Sequence, residues 1–171
     1  MQNFLDAITA DLLSCKEIET AHPALQIKIL KIPESNAFSL YPNRIYVSLG
    51  LLAQVQSETE IAYVIAHELG HHLQGHTKSQ SSSGYALANE LEADRFGIKL
   101  LSCVGYDPEE AILALLDTYR QKHLNVSSIE YKKRAVEILK QLNPRKHRNY
   151  MRLSSPLFLQ VKQEVSMIIN R

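Results

Sequence analysis

Hydrophobic and polar positions along this chain follow two different periods, and the switches between them divide it into a helix, a run of short strands and a longer helical part. Phe4, Leu5, Ile8, Leu12 and Leu13 recur at helical spacing, which predicts an amphipathic helix from Asn3 to about Thr20. After Pro23, Leu25, Ile27 and Ile29 alternate with Gln26, Lys28 and Leu30, the period of a strand with one buried face, and Pro33 stops it. Residues 36–40 form a second extended piece, Tyr41-Pro42-Asn43-Arg44 a turn, and Ile45-Tyr46-Val47 a third strand rich in β-formers. A small hairpin-like sheet is expected.

Helical spacing then takes over. Ser48 is placed to cap a short helix over 49–55, and Ser57 to cap the next, with Glu60 three residues on to complete a capping box. That helix should reach about His76. With Ile61 set at 0°, Ile65, Leu69, Ala62, Leu73 and Ala66 fall between about 0° and 140°, and His67, His71 and Glu68 between about 240° and 340°. The narrow remaining sector predicts a central helix, buried over most of its circumference. Lys78 to Gly84 has a linker's composition. Further helices are predicted from Tyr85 to Cys103, closed by Gly105; from Pro108 to about His123; from Ile129 to Leu142, ended by Pro144; and from Pro156 to Ile169. No repeat and no shift in composition marks a second unit. The expectation is one domain over 1–171 with an α+β fold, mostly helical, its small sheet preceding the central helix.

Composition narrows the functions available. Hydrophobic residues at 45% and charged residues at 22% are ordinary for a globular protein. A formal net charge of +1 supplies no field to gather nucleic acid. No apolar run approaches the ~18 residues of a membrane span. The cluster Lys140, Arg145, Lys146, His147, Arg148 and Arg152 reads as a solvated surface, with peripheral contact to an anionic membrane as its other use. Cys15 and Cys103 are flanked by apolar residues and read as buried free thiols, with a disulfide possible only if the fold brings them together.

The chemistry gathers in His67-Glu68-Leu69-Gly70-His71. Residues four apart on a helix lie about 40° from each other, so both imidazoles can reach one metal ion. Two neutral imidazoles suit zinc and leave room for a third protein ligand and a water, whose proton Glu68 is placed to take. The helix after the serine-rich stretch offers two glutamates for the third position. With Glu90 at 0°, Asp94 sits at about 40° among Ala86, Leu87, Leu91, Ile98 and Leu101, while Glu92 sits near 200° with Arg95 and Lys99. Glu90 therefore points inward, where a carboxylate needs a cation, and Glu92 points to water. Asp94 shares the inward face and can fix the free ring nitrogen of a ligand histidine. Gly97 would let the two helices approach closely. His72 and His76 also stand four apart but project among Ile61, Ile65 and Leu69, and read as hydrogen-bonded core or helix-end histidines.

Between Asn36 and Arg134 these residues resemble the HtpX-like and CAAX-prenyl-protease-like zinc metallopeptidases, metallopeptidase family forty-eight, of the gluzincin type. The resemblance rests on Asn36-Ala37-Phe38, Arg44-Ile45-Tyr46-Val47 and Gly50-Leu51-Leu52 ahead of the HExxH motif, and on Glu90-Leu91-Glu92-Ala93-Asp94 after it. It implies a minimal zincin-type fold holding one Zn2+ through His67, His71 and Glu90, with Glu68 as general base and acid and Asp94 behind the ligands. It implies Arg134 as the stabiliser of the oxyanion, although Ser128 and Ile129 stand where members carry histidine and proline. His123 is then the histidine to replace the missing one, or to plug the site. The thermolysin-like gluzincins share the motifs but need a large β-rich domain that the residues before Ser57 are too few to form. The expected activity is endoproteolysis of unfolded or damaged polypeptide, held as an extended strand against an edge strand near Ile45 to Ser48. An envelope location follows if an export signal precedes Met1, and a cytoplasmic one otherwise. Two further readings stay open: a zinc-bound holdase or assembly factor with latent cleavage, and a closed structural zinc site.

Overall fold

The computed structural model describes residues 1–16, 25–78, 85–110, 128–142 and 155–169. The expected serine-rich loop over 79–84, most of the expected 108–123 helix with His123, and the basic cluster beyond Lys140 lie outside the described residues.

The first helix, α1, runs over Gln2–Leu13 and buries Phe4, Leu5, Ile8 and Leu12 as the pattern requires. It stops short of Thr20 because Ser14 turns its hydroxyl back to the Asp11 carbonyl, at 2.6 Å. Cys15 then leaves the helix to form a disulfide with Cys103, with the two Cα atoms 5.8 Å apart. The reading of both cysteines as free thiols is thus overturned. The pair joins elements 88 residues apart in sequence, a proximity that no local pattern encodes, and Cys103 lies exposed rather than buried.

Three strands follow: β1 (Gln26–Leu30), β2 (Ala37–Leu40) and β3 (Arg44–Ser48). The hairpin is present, with β2 antiparallel to β3. On its other side β3 pairs in parallel with β1, so the order is β1-β3-β2. The strand expected at a sheet edge, Ile45 to Ser48, is therefore the central one. A parallel partner must return from outside the hairpin, and β1 does so from before it.

Ser48 ends the sheet and caps α2 (Leu49–Gln54), accepting from Leu51 N at 3.1 Å and from Asn36 N at 2.8 Å. The central helix, α3, spans Glu58–Leu73. Ser57 caps it through Glu60 N at 3.2 Å. The Glu60 carboxylate accepts from Gln56 N, at 2.9 Å, one residue before the position that a capping box would use. Twelve of the 16 residues of α3 are buried, in keeping with the narrow polar sector of its pattern. It ends before His76: Gln74 caps it, Gly75 takes φ +77°, and His76–Lys78 form a separate 3₁₀ turn.

Helix α4 (Leu87–Val104) lies against α3 and is closed by Gly105 at φ +89°. A Cβ on Gly70 would stand 2.9 Å from Ala93 Cα, so the motif's own glycine lets the two helices approach closely. Gly97, expected in that role, would place its Cβ 3.3 Å from His67 N, a looser fit. Helix α5 (Ser128–Gln141) packs on α4, and α6 (Pro156–Ile169) on α2. One cluster of buried side chains reaches from Phe4 through Leu69 and Leu101 to Ile138 and Val165. The architecture is α+β, mostly helical with one three-stranded sheet, and among the described residues no helix is long and apolar enough to cross a membrane.

Candidate active site

His67 and His71 leave α3 one turn apart, and Glu90 meets them from the first turn of α4. The Nε2 atoms of the histidines are 3.1 Å apart. Glu90 Oε2 is 3.5 Å from His67 Nε2, and Oε1 is 3.4 Å from His71 Nε2. Ligands bonded to zinc at 2.0–2.1 Å in a tetrahedron stand about 3.3–3.4 Å from one another. Two imidazoles and a carboxylate at these separations therefore fit one zinc ion between them, and the donor set is one that zinc favours. Among the described residues no fourth His, Cys, Asp or Glu joins the three.

The electrostatics favour positive charge at that point. Burial works against a charged His67, yet Asp94 and Glu90 outweigh it and raise its pKa to about 9. His71 is lowered, chiefly by burial, with His67 beside it adding to the effect. Burial would push Glu90 and Asp94 up, but His67 and Arg134 hold both carboxyls well below the usual range, with His71 helping at Glu90. Glu90 and Asp94 stay ionised, and a cation shared by the two histidines answers them.

Asp94 lies behind the three candidate donors, one turn on from Glu90 along the same helix. Its Oδ1 is 3.0 Å from His67 Nδ1, a contact of charge rather than a well-aligned hydrogen bond, since that nitrogen has no partner of good geometry. Tyr63 donates its hydroxyl to the same carboxylate at 2.7 Å. Arg134 comes from α5 and donates through Nε and Nη2 to the two oxygens of Asp94, each at 2.8 Å, while Nη1 lies 2.6 Å from Glu90 Oε2. The predicted arginine is thus in the site, with its guanidinium on the carboxylates that surround the ligand cluster.

Glu68 is buried, and Ser39 of β2 approaches it, with Oγ 2.5 Å from Glu68 Oε2 and 2.9 Å from the Glu68 carbonyl oxygen. Ser39 escaped the sequence reading because a small polar residue in a strand gives no sign of its neighbour. Tyr85 escaped it too. Its ring stacks on His71 with centroids 3.8 Å apart and planes 14° from parallel. Burial, with Glu68 and Glu90 nearby, pushes its phenol up to about 12, so it stays neutral. An aromatic five residues before Glu90 was the available signal. His76, assigned to the core or helix end, is buried with Nδ1 3.1 Å from His71 Nδ1 and Nε2 3.2 Å from Glu92 Oε2.

Comparison with known proteins points to a peptidase family. Residues 2–88, about half of the chain, match the profile of Peptidase family M48. The mitochondrial metalloendopeptidase OMA1 of Arabidopsis thaliana is 28% identical over 116 residues, covering 50% of this chain and 24% of the relative. A putative beta-barrel assembly-enhancing protease of Vibrio cholerae is 27% identical over 152 residues, covering 63% of this chain and 31% of the relative. The chain spans a quarter to a third of the length of these two relatives. The profile match ends before Glu90, so the case for Glu90 as a third donor rests on its distances from the two histidines.

Proposed function

Because the chain belongs to peptidase family M48, we propose that it is a zinc-dependent endopeptidase whose ion is held by His67, His71 and Glu90 and whose general base is Glu68. The observation that carries this is the convergence of three donor atoms at zinc-ligand separations, beside a buried carboxylate on the same helix. A zinc ion bound there supplies a Lewis acid that polarises the scissile carbonyl and acidifies a water. Glu68 takes the proton of the attacking water and passes it to the leaving amine. Ser39 holds one oxygen of Glu68 and so fixes the position of the carboxylate. Asp94 and Tyr63 keep His67 in place, and Arg134 keeps Glu90 and Asp94 ionised.

The substrate in this reading is an unfolded or damaged polypeptide, paired as an extended strand with β2. Among the described residues β2 pairs only with β3, so its other edge offers main-chain groups, and Ser39 places that strand against Glu68. Recognition through main-chain groups selects unfolded chains over particular side chains. An oxidising compartment such as the cell envelope agrees with the Cys15–Cys103 disulfide.

A second reading, an assembly factor that binds client protein and cleaves little, draws on the name of the Vibrio relative, which couples a protease with β-barrel assembly. Metal removal tests the enzyme reading. The protein is expected to hydrolyse reduced, unfolded casein, to lose that activity on treatment with 1,10-phenanthroline, and to regain it with one equivalent of zinc. Hydrolysis that survives complete stripping of metal contradicts the enzyme reading, and client binding without any hydrolysis favours the second.

A further inference from the structure

His71 is unusual among the three ligands in what stands behind it. A histidine that gives Nε2 to a metal carries its proton on Nδ1, and that N–H needs an acceptor, commonly a carboxylate or a carbonyl. The atom 3.1 Å from His71 Nδ1 is another imidazole nitrogen, His76 Nδ1. It can accept only if His76 carries its own proton on Nε2, and Nε2 lies 3.2 Å from the Glu92 carboxylate, an acceptor. Every donor in the series meets an acceptor in one arrangement of protons: Glu92 accepts from His76, and His76 accepts from His71.

The backbone is built to close this chain. Had α3 continued to His76, that side chain would project five positions beyond His71, away from it on the helix. Gly75 in the left-handed region breaks α3 instead, and the 3₁₀ turn folds the His76 ring back onto His71, with centroids 5.2 Å apart. Tyr85 covers a face of the His71 ring, which leaves rotation about the ring axis to be fixed by what Nδ1 bonds. Glu92, whose side chain is 53% exposed, anchors the outer end from α4. The two glutamates of that helix thus divide the work, Glu90 on the metal side and Glu92 behind His76.

We propose that His76 and Glu92 form a positioning relay that fixes the tautomer and ring orientation of His71 and so sets the affinity of the site for zinc. The relay rests on the reading of His67, His71 and Glu90 as zinc ligands. His76 and Glu92 touch no substrate in it and act through His71 alone.

The test is the zinc dissociation constant of the purified chain, measured by competition with a chromophoric chelator. Removing a hydrogen-bond partner of a ligand histidine loosens metal about 10- to 100-fold, and His76→Leu is expected to fall in that range. Glu92→Gln is expected to loosen zinc several-fold, and the double variant no more than His76→Leu alone, because Glu92 acts through His76. His76→Gln, whose amide can accept from His71 and donate to Glu92, should recover most of the loss. A folded His76→Leu chain that binds zinc within twofold of the wild type overturns the relay, as do effects of the two substitutions that multiply independently. Should His76→Leu fail to fold, the exposed Glu92→Gln change decides: a several-fold loss supports the relay, and unchanged affinity overturns it. A wild-type chain that binds no zinc defeats the metal-site reading instead.

Discussion

Replacing Glu68 by glutamine is expected to slow hydrolysis of an unfolded polypeptide by about 10²–10⁴-fold, the contribution typical of a positioned general acid–base group, while zinc stays bound one to one. Glutamine has the shape of glutamate and can still accept from Ser39 Oγ, which lies 2.5 Å from Glu68 Oε2. It cannot take a proton from water. Glu68 is also absent from the cluster of candidate ligands, so the substitution separates chemistry from metal binding. Turnover by initial rates and metal content by elemental analysis, on the same preparation, check it. Undiminished turnover with zinc in place would show that another group is the base. Client binding that persists in Glu68→Gln is expected under both the peptidase and the assembly-factor readings, so the wild type's own turnover is what separates them.

The second large effect concerns Arg134. Its guanidinium makes a two-pronged contact with Asp94 and reaches Glu90 with its remaining nitrogen, and its side chain is only 12% exposed. Arg134→Met would leave two carboxylates short of their countercharge, one of them Asp94, which is buried. Breaking such a pair by removing one partner costs about 3–5 kcal/mol. For a chain of this size that lowers the melting temperature by on the order of 10 °C, with Arg134→Lys recovering part of it through charge without the planar fork. Thermal unfolding of the metal-free protein checks this. A stable Arg134→Met variant with a fall confined to kcat would instead place the guanidinium on the developing oxyanion, the role that the family resemblance implies.

The helical periods were legible because they are local. Phe4 to Leu12 and the apolar side of α3 needed nothing beyond positions three and four apart, and the same geometry separated Glu90 from Glu92 and set Asp94 one turn behind. What the sequence hid depends on contacts across the fold. The parallel pairing of β1 with β3 moved the expected edge strand to the centre of the sheet and left β2 to face the site. The bridge from Cys15 to Cys103 spans 88 residues. His76 is the buried, hydrogen-bonded helix-end histidine expected, but it lies elsewhere than among Ile61, Ile65 and Leu69, because helical geometry was carried through Gly75, where the backbone leaves the helix. A glycine between the two histidines was the signal, and once it is given its left-handed turn, the ring falls back on His71. Ser39 had no such marker and Tyr85 only its place five residues before Glu90, since what makes them part of the site is the approach of β2 and of the residues leading into α4 to one face of α3.

In the proposed enzyme His67, His71 and Glu90 hold one zinc ion and leave a position open for water and substrate. X-ray absorption at the zinc edge of the metal-loaded protein tests it directly. The expected first shell is two imidazole nitrogens and light oxygen donors at about 2.0–2.2 Å, with one nitrogen lost in His71→Ala and one oxygen lost in Glu90→Ala. A shell that keeps its full complement in either variant, or that contains a third histidine closing the site, would contradict it.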